Sequence, residues 1–174
     1  MLKMNKKVLL GKLISIGVIY KEPVVLRSGK VAEFYCDIKK AFGDPVILNA
    51  LADELAKKIP KSANVVAVSG YGGLPLGAVI CSRFDKKLCA VRGKEKKHGK
   101  GGFIDGYVPT KKDQVVIVDD VLTSGGSIRE VMENLKSIDI NAIMAVVVVK
   151  RAEPNLSIKY DFVYHISEIM DFVK

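Results

Sequence analysis

Residues 115–127 read Val115-Val116-Ile117-Val118-Asp119-Asp120-Val121-Leu122-Thr123-Ser124-Gly125-Gly126-Ser127. The four β-branched residues at the start carry no polar alternation, which predicts a parallel strand over 115–118 buried on both faces. Two adjacent carboxylates, Asp119 and Asp120, follow where that strand is expected to end. Thr123, Ser124, Gly125, Gly126 and Ser127 then form a tight turn into the helical spacing of residues 128–135. A glycine-rich turn at a helix N-terminus offers unpaired backbone N–H groups and the positive end of the helix dipole, and both favour a phosphate. Carboxylates beside such a turn would repel that phosphate unless they serve sugar hydroxyls or a divalent cation. The combination points to a phosphorylated sugar. An acidic strand end with an ordinary N-cap is the plain alternative, but two acids, three hydroxyls and two glycines exceed what a cap needs.

The pattern continues outward in both directions. Apolar spacing predicts a helix over 48–59, ended by Pro60, and a short strand over 64–69. Gly70, Tyr71, Gly72 and Gly73 form a turn before a helix over 74–84, and further strands are expected over 88–91 and 143–149. Alternating strands and helices imply an α/β fold with a central parallel sheet flanked by helices. Ligands in such sheets bind at the carboxyl ends of the strands. Residues 70–73, Arg92, residues 119–127 and Lys150-Arg151 all fall at those ends, so four loops converge on one site. The chain reads as one domain, with a core over 41–151 and a small hood from 1–40 and 152–174.

At 174 residues and 49% hydrophobic content, one sizeable core can be buried. No apolar run approaches the roughly 20 residues that cross a bilayer. Lysines before an apolar stretch near the start mimic a signal peptide, but Lys12 interrupts the stretch, and an amphipathic helix is the expectation. Cys36, Cys81 and Cys89 form no CxxC pair, which argues for a reducing, cytoplasmic setting and against a cysteine zinc site. The net charge of +9 is concentrated in the first 12 residues and in residues 86–100. Nucleic-acid binding prefers charge spread over a broad face, so neither nucleic acid nor membrane is the expected partner.

The run at 119–127 closely resembles the phosphoribosyl-diphosphate (PRPP) signature of type I phosphoribosyltransferases. That resemblance implies the family's fold. It gives Asp119 and Asp120 the ribose hydroxyls, and gives Thr123, Ser124, Gly125, Gly126 and Ser127 the 5′-phosphate. Residues 91–106, rich in cations and glycine, read on composition alone equally as a solvated surface and as a loop after a strand end whose glycines permit lid-like movement over a charged ligand. They resemble the catalytic loop of orotate phosphoribosyltransferases, in which an arginine–lysine pair precedes a further lysine and His-Gly. Matching back from His98, Arg92 takes the arginine place and Lys96 that of the later lysine, while Gly93 stands where a lysine is usual and Lys94 follows it. These cations would close over a departing diphosphate, with His98 as donor to it. In the family this loop is shared across subunits, so the resemblance implies a homodimer exchanging residues 92–103.

Gly70, Tyr71 and Gly72 resemble the family's diphosphate-binding turn, joined here by Lys94, although some members carry lysine where Gly72 stands. Arg27-Ser28-Gly29 and Tyr35 resemble the segment that lines the base site, with arginine in place of lysine and Cys36 in place of an aromatic or aliphatic residue. Arg151, preceded by Lys150 where aspartate is usual, resembles the arginine that grips the orotate carboxylate, which a guanidinium can do through two parallel hydrogen bonds. Arg27, Tyr35, Thr123 and Arg151 are thus the implied orotate residues. The activity implied is transfer of the phosphoribosyl group of PRPP to orotate in UMP biosynthesis. Mg²⁺ is expected on substrate oxygens, reaching Asp119 and Asp120 at most through water. A transferase for a purine or another base, and a non-catalytic PRPP-sensing regulator, stay open at this stage.

Overall fold

The computed structural model describes residues 4–20, 24–25, 31–32, 34–93 and 102–173. In chain order these form helix α1 (Lys6–Ser15) and the short strands β1 (Ile19–Tyr20), β2 (Val24–Val25), β3 (Val31–Ala32) and β4 (Tyr35–Cys36). A 3₁₀ helix (Ile38–Gly43), α2 (Pro45–Ala56), β5 (Val65–Ser69), α3 (Gly70–Arg83), β6 (Lys87–Val91) and β7 (Ile104–Gly106) follow. The last elements are β8 (Val115–Leu122), α4 (Gly126–Lys136), β9 (Ala142–Lys150), β10 (Lys159–His165) and α5 (Ile166–Val173). Six strands form one sheet in the order β10-β9-β8-β5-β6-β7, parallel except that β7 runs antiparallel to β6. The expected α/β fold with a central, mostly parallel sheet is present.

Strand alternation divides the core into two faces. Val66, Val68, Val116, Val118 and Val146 pack with Leu9 and Leu13 of α1, Leu51 of α2 and Leu76 of α3. Val65, Ala67, Val115, Ile117 and Val147 pack with Ile128, Val131 and Leu135 of α4. Residues 115–118 are at most 1% exposed, so the unalternated run is covered on both sides as its composition requires. From β5 the chain crosses through α3 to β6 on one side, and from β8 through α4 to β9 on the other. The strand order therefore reverses direction between β5 and β8, which is where a crevice opens in sheets of this kind.

Three boundaries differ from expectation. Strand β8 runs to Leu122, so the acid pair lies within it: pairing to β5 stops at Val118, whereas pairing to β9 continues through Leu122. Helix α2 starts at Pro45, capped by the Asp44 carboxylate, which accepts from the Val46 and Ile47 amides at 2.8 and 3.2 Å. Helix α3 starts directly at Gly70 with no separate glycine loop before it. Its glycines let it lie against the sheet, since a Cβ on Gly73 would sit 2.6 Å from the Val118 carbonyl oxygen.

The hood is also smaller than expected. Strands β1 and β4 pair as one antiparallel ribbon, and β2 and β3 as another. Residues 159–165, expected in the hood, instead add strand β10 parallel to β9 at the sheet edge. Their aromatic and β-branched content suits that place: Val163 and Tyr164 enter one core, while Tyr160 and Phe162 pack on the other. The Tyr164 hydroxyl donates to the Lys6 carbonyl at 2.7 Å and ties α1 to this strand.

The contact at Gly73 is with backbone, which cannot swing aside. Gly73→Ala should therefore destabilise the fold by roughly 2 kcal/mol, read as a lowered urea midpoint with an unchanged m-value.

Candidate active site

The crevice at the carboxyl ends of β5, β6 and β8 holds about 920 Å³. Its floor and walls include Ser69, Gly70, Tyr71 and Gly72 from the β5–α3 junction, Arg92, Gly93 and Asp105 from the β6–β7 hairpin, and Asp119, Asp120, Ser127 and Glu130. Lys39, from the 3₁₀ helix, closes one side. Tyr71 stands at the mouth, 87% exposed.

The acid pair occupies the place where β8 has lost its β5 neighbour. Asp119 is buried and Asp120 half-buried. The Asp120 amide donates to Asp119 Oδ1 at 2.9 Å, and the Val121 amide to Asp120 Oδ1 at 2.8 Å. Burial, and then the adjacent Asp120 carboxylate, push Asp119 up from its ordinary value to about 7. Gly72 faces Asp120 so closely that a Cβ there would lie 2.4 Å from Asp120 Oδ1. The carboxylate fills the space a side chain at 72 would need.

Beyond the acids the turn reaches Gly125 at φ +80°, a left-handed conformation that glycine adopts without strain. Helix α4 starts at Gly126 with no side-chain cap, so its first amides and the positive end of its dipole face outward from the turn. Thr123 and Ser124 are exposed, and Ser127 lines the crevice. Arg129 braces the turn from within α4: one Nη donates to the Ser124 carbonyl at 2.7 Å and to the Asn155 carbonyl at 2.8 Å.

On the hairpin, the Arg92 amide donates to the Phe103 carbonyl at 2.7 Å, and the Arg92 guanidinium pairs with Asp105. Arg92 thus enters the crevice already held by an acid. Lys94, Lys96 and His98 lie outside the described residues, as does Arg27. A Cβ on Gly93 would meet Glu130 Oε1 at 2.5 Å, so an acid stands against this position too.

Arg151 follows β9, its amide bonded to the Leu122 carbonyl at 2.8 Å. Its Nη2 donates to the Phe34 carbonyl at 3.0 Å, and its guanidinium lies 4.9 Å from the Phe34 ring centre. Of the two neighbouring aromatics it is Phe34 that meets Arg151, whereas Tyr35 turns toward Tyr20 with ring centres 6.3 Å apart. Successive residues point to opposite sides of an extended segment. Cys36 returns to the Phe34 side, where burial and the Asp120 charge push its thiol up to about 12, Arg151 opposing. Asp120 and Arg151 therefore both act on the Cys36 thiol.

Lys150 has no part in the crevice. Its ammonium pairs with Glu153 and lies 5.6 Å from the ring centres of Tyr160 and Phe162, on the face opposite Arg151. Lys39, Asp105 and Glu130 are cleft residues that sequence reading misses. Lys39 beside Lys40 looks like any solvated pair, and nothing in the spacing joins Asp105 to Arg92. Among the described residues, no group of three His, Cys, Asp or Glu side chains could hold a metal ion, and no helix is long and apolar enough to cross a membrane. The donor set fits a cation brought in by an anionic substrate, with at most the two adjacent carboxylates beside it.

Comparison with known proteins gives a consistent answer. Residues 45–174 match the model of the phosphoribosyl transferase domain. The chain is 37% identical to the orotate phosphoribosyltransferase of Methanopyrus kandleri over 150 residues, covering 86% of this chain and 80% of that protein. It is 32% identical to that of Thermococcus gammatolerans over 172 residues, covering 94% and 90%. The crystal structure of orotate phosphoribosyltransferase from Aeropyrum pernix superposes with a TM-score of 0.78 at 26% identity, covering 95% of this chain and 98% of that one.

The raised Asp119 has a measurable consequence. Its folded value exceeds its unfolded one, so the folded state holds an extra proton between about pH 4 and 7; stability falls across that range and levels off above it. Asp119→Asn keeps the oxygen that accepts the Asp120 amide and removes the buried charge. It should stabilise the protein at pH 8 by on the order of 1–3 kcal/mol and flatten its stability between about pH 4 and 8. Urea denaturation across that range checks this.

Proposed function

Since the chain belongs to the phosphoribosyl transferase family, we propose that it transfers the phosphoribosyl group of PRPP to orotate, yielding orotidine 5′-monophosphate and diphosphate. The reaction belongs to UMP biosynthesis. The observation that carries the choice of base is Arg151, held against Phe34 and bonded through its amide to the end of the strand that bears the two acids. One of its N–H groups serves Phe34, and a guanidinium has five donors, so four remain, enough for two parallel bonds to a carboxylate. Arg27, Tyr35 and Thr123 complete the reading of the base site.

In this reading the ribose hydroxyls donate to Asp119 and Asp120, and the 5′-phosphate sits over residues 123–127 on the free amides of α4. The ribose is pinned at both ends, leaving its anomeric carbon toward the base side. The orotate ring nitrogen gives up its proton to solvent and bonds to that carbon, as the carbon–oxygen bond to the diphosphate breaks and the diphosphate leaves with the electron pair. Gly70, Tyr71, Gly72 and Lys94 receive the diphosphate. Arg92, Lys96 and His98 stabilise the charge that grows on it, a term worth most when the site excludes water. Arg92 must exchange Asp105 for the diphosphate to do so. Mg²⁺ bound to the diphosphate would neutralise part of its charge, with Asp119 and Asp120 reaching it through water. A homodimer in which residues 92–103 serve the partner's site completes the assembly, and three buried free thiols suit a cytoplasmic setting.

Turnover measured with orotate, uracil, adenine, hypoxanthine and xanthine should occur on orotate; turnover on another base without orotate would replace the substrate. Arg151→Ala should raise the KM for orotate roughly a hundredfold while leaving that for PRPP within a few-fold. Lys96→Ala should lower kcat far more than it weakens PRPP binding, the mark of an interaction made in the transition state.

A further inference from the structure

The 3₁₀ helix that joins the hood to α2 places one ammonium in the crevice that no sequence motif assigns. Lys39 Nζ lies 3.5 Å from Asp120 Oδ2 and 3.0 Å from Asp37 Oδ1. Its side chain is 41% exposed and lines the same space as Asp119, Gly72 and Arg92. An ion pair so open to water contributes little to stability, so its value lies in the site it borders. Asp120 is fixed from two directions: its Oδ1 accepts the Val121 amide, and its Oδ2 faces the ammonium. On its other flank stands Gly72, which brings the chain close but brings no charge. The diphosphate turn would therefore be neutral at its tightest point, with two carboxylates beside it, were Lys39 absent.

We propose that Lys39 is a positioning residue for PRPP, one that aims Asp120 at the ribose hydroxyls and supplies, from the hood side, the positive charge that position 72 lacks. The inference rests on the reading of this crevice as a PRPP site. Lys39 touches Asp120 directly, so its ammonium screens the acid pair from an incoming polyanion without occupying the turn itself. Because the 3₁₀ helix follows the β4 segment, the same residue joins the base-side wall to the ribose acids. The charged and titratable groups that face it are Asp37 and Tyr35 from its own segment and Asp120 and Asp119 from β8. Arg151, Asp120, Asp37 and Lys39 all act on the Cys36 thiol. Burial opposes the charge on Lys39, but the contact with Asp37 and the Asp120 carboxylate outweigh it and hold the ammonium above the usual lysine value.

The test is calorimetric titration of the full chain with PRPP and Mg²⁺, without a base, for the unaltered protein, Lys39→Ala and Lys39→Arg. Lys39→Ala should weaken PRPP binding about tenfold or more. Lys39→Arg should restore it. Unchanged affinity in the alanine variant, or an arginine variant as weak as the alanine one, would each overturn the proposal. Turnover of orotate by the unaltered chain reads the base by itself, so failure of that reading and failure of this one give different results.

Discussion

Strand β8 keeps its β9 neighbour for four residues after losing β5 at Val118, and the chemistry of the crevice follows from that unequal pairing. A strand bonded on both sides would bury its carboxylates hopelessly, and one bonded on neither would leave them loose. Here one ladder holds the backbone of Asp119 and Asp120 rigid while the other side opens to a ligand. The opening exists because β5 turns at once into α3, which crosses in the opposite sense to α4. Gly73 and Gly72 then allow α3 to start close against β8 and its acids. The buried Asp119 is the cost of the arrangement, since burial and its neighbour both oppose its charge.

Among the described residues, the cations of the crevice are already paired with acids. Arg92 is matched by Asp105, and Lys39 by Asp120 and Asp37. A crevice that must take a highly charged substrate thus balances much of its own charge beforehand. Exchanging one anionic partner for another costs less than uncovering a bare cation in a partly dry cleft.

Much of this was legible in the residues. The run at 115–118 announced a doubly covered strand, and the acids and hydroxyls after it announced the ligand class. The acids were expected past the end of the strand because composition cannot show that one neighbour stops before the other. The start of α2 was readable in Asp44-Pro45, but apolar spacing drew attention to Leu48 instead. Strand β10 was hidden by its place after a loop with no helix between it and β9. The opposite outlooks of Lys150 and Arg151 follow from a period of two and could have been read. Lys39 could not, since its meaning depends on Asp120, a residue brought near only by the fold.

The bond from the Tyr164 hydroxyl to the Lys6 carbonyl spans 158 positions of sequence. Leu9 and Leu13 of α1 are wholly buried among groups that include Val163, Tyr164 and Ile169. During synthesis α1 is made long before β10 and α5, so its apolar face has no complete seat until most of the chain has been translated. Docking α1 against β10 and α5 therefore closes a loop that spans most of the sequence, and contacts of such high sequence separation are slow to form.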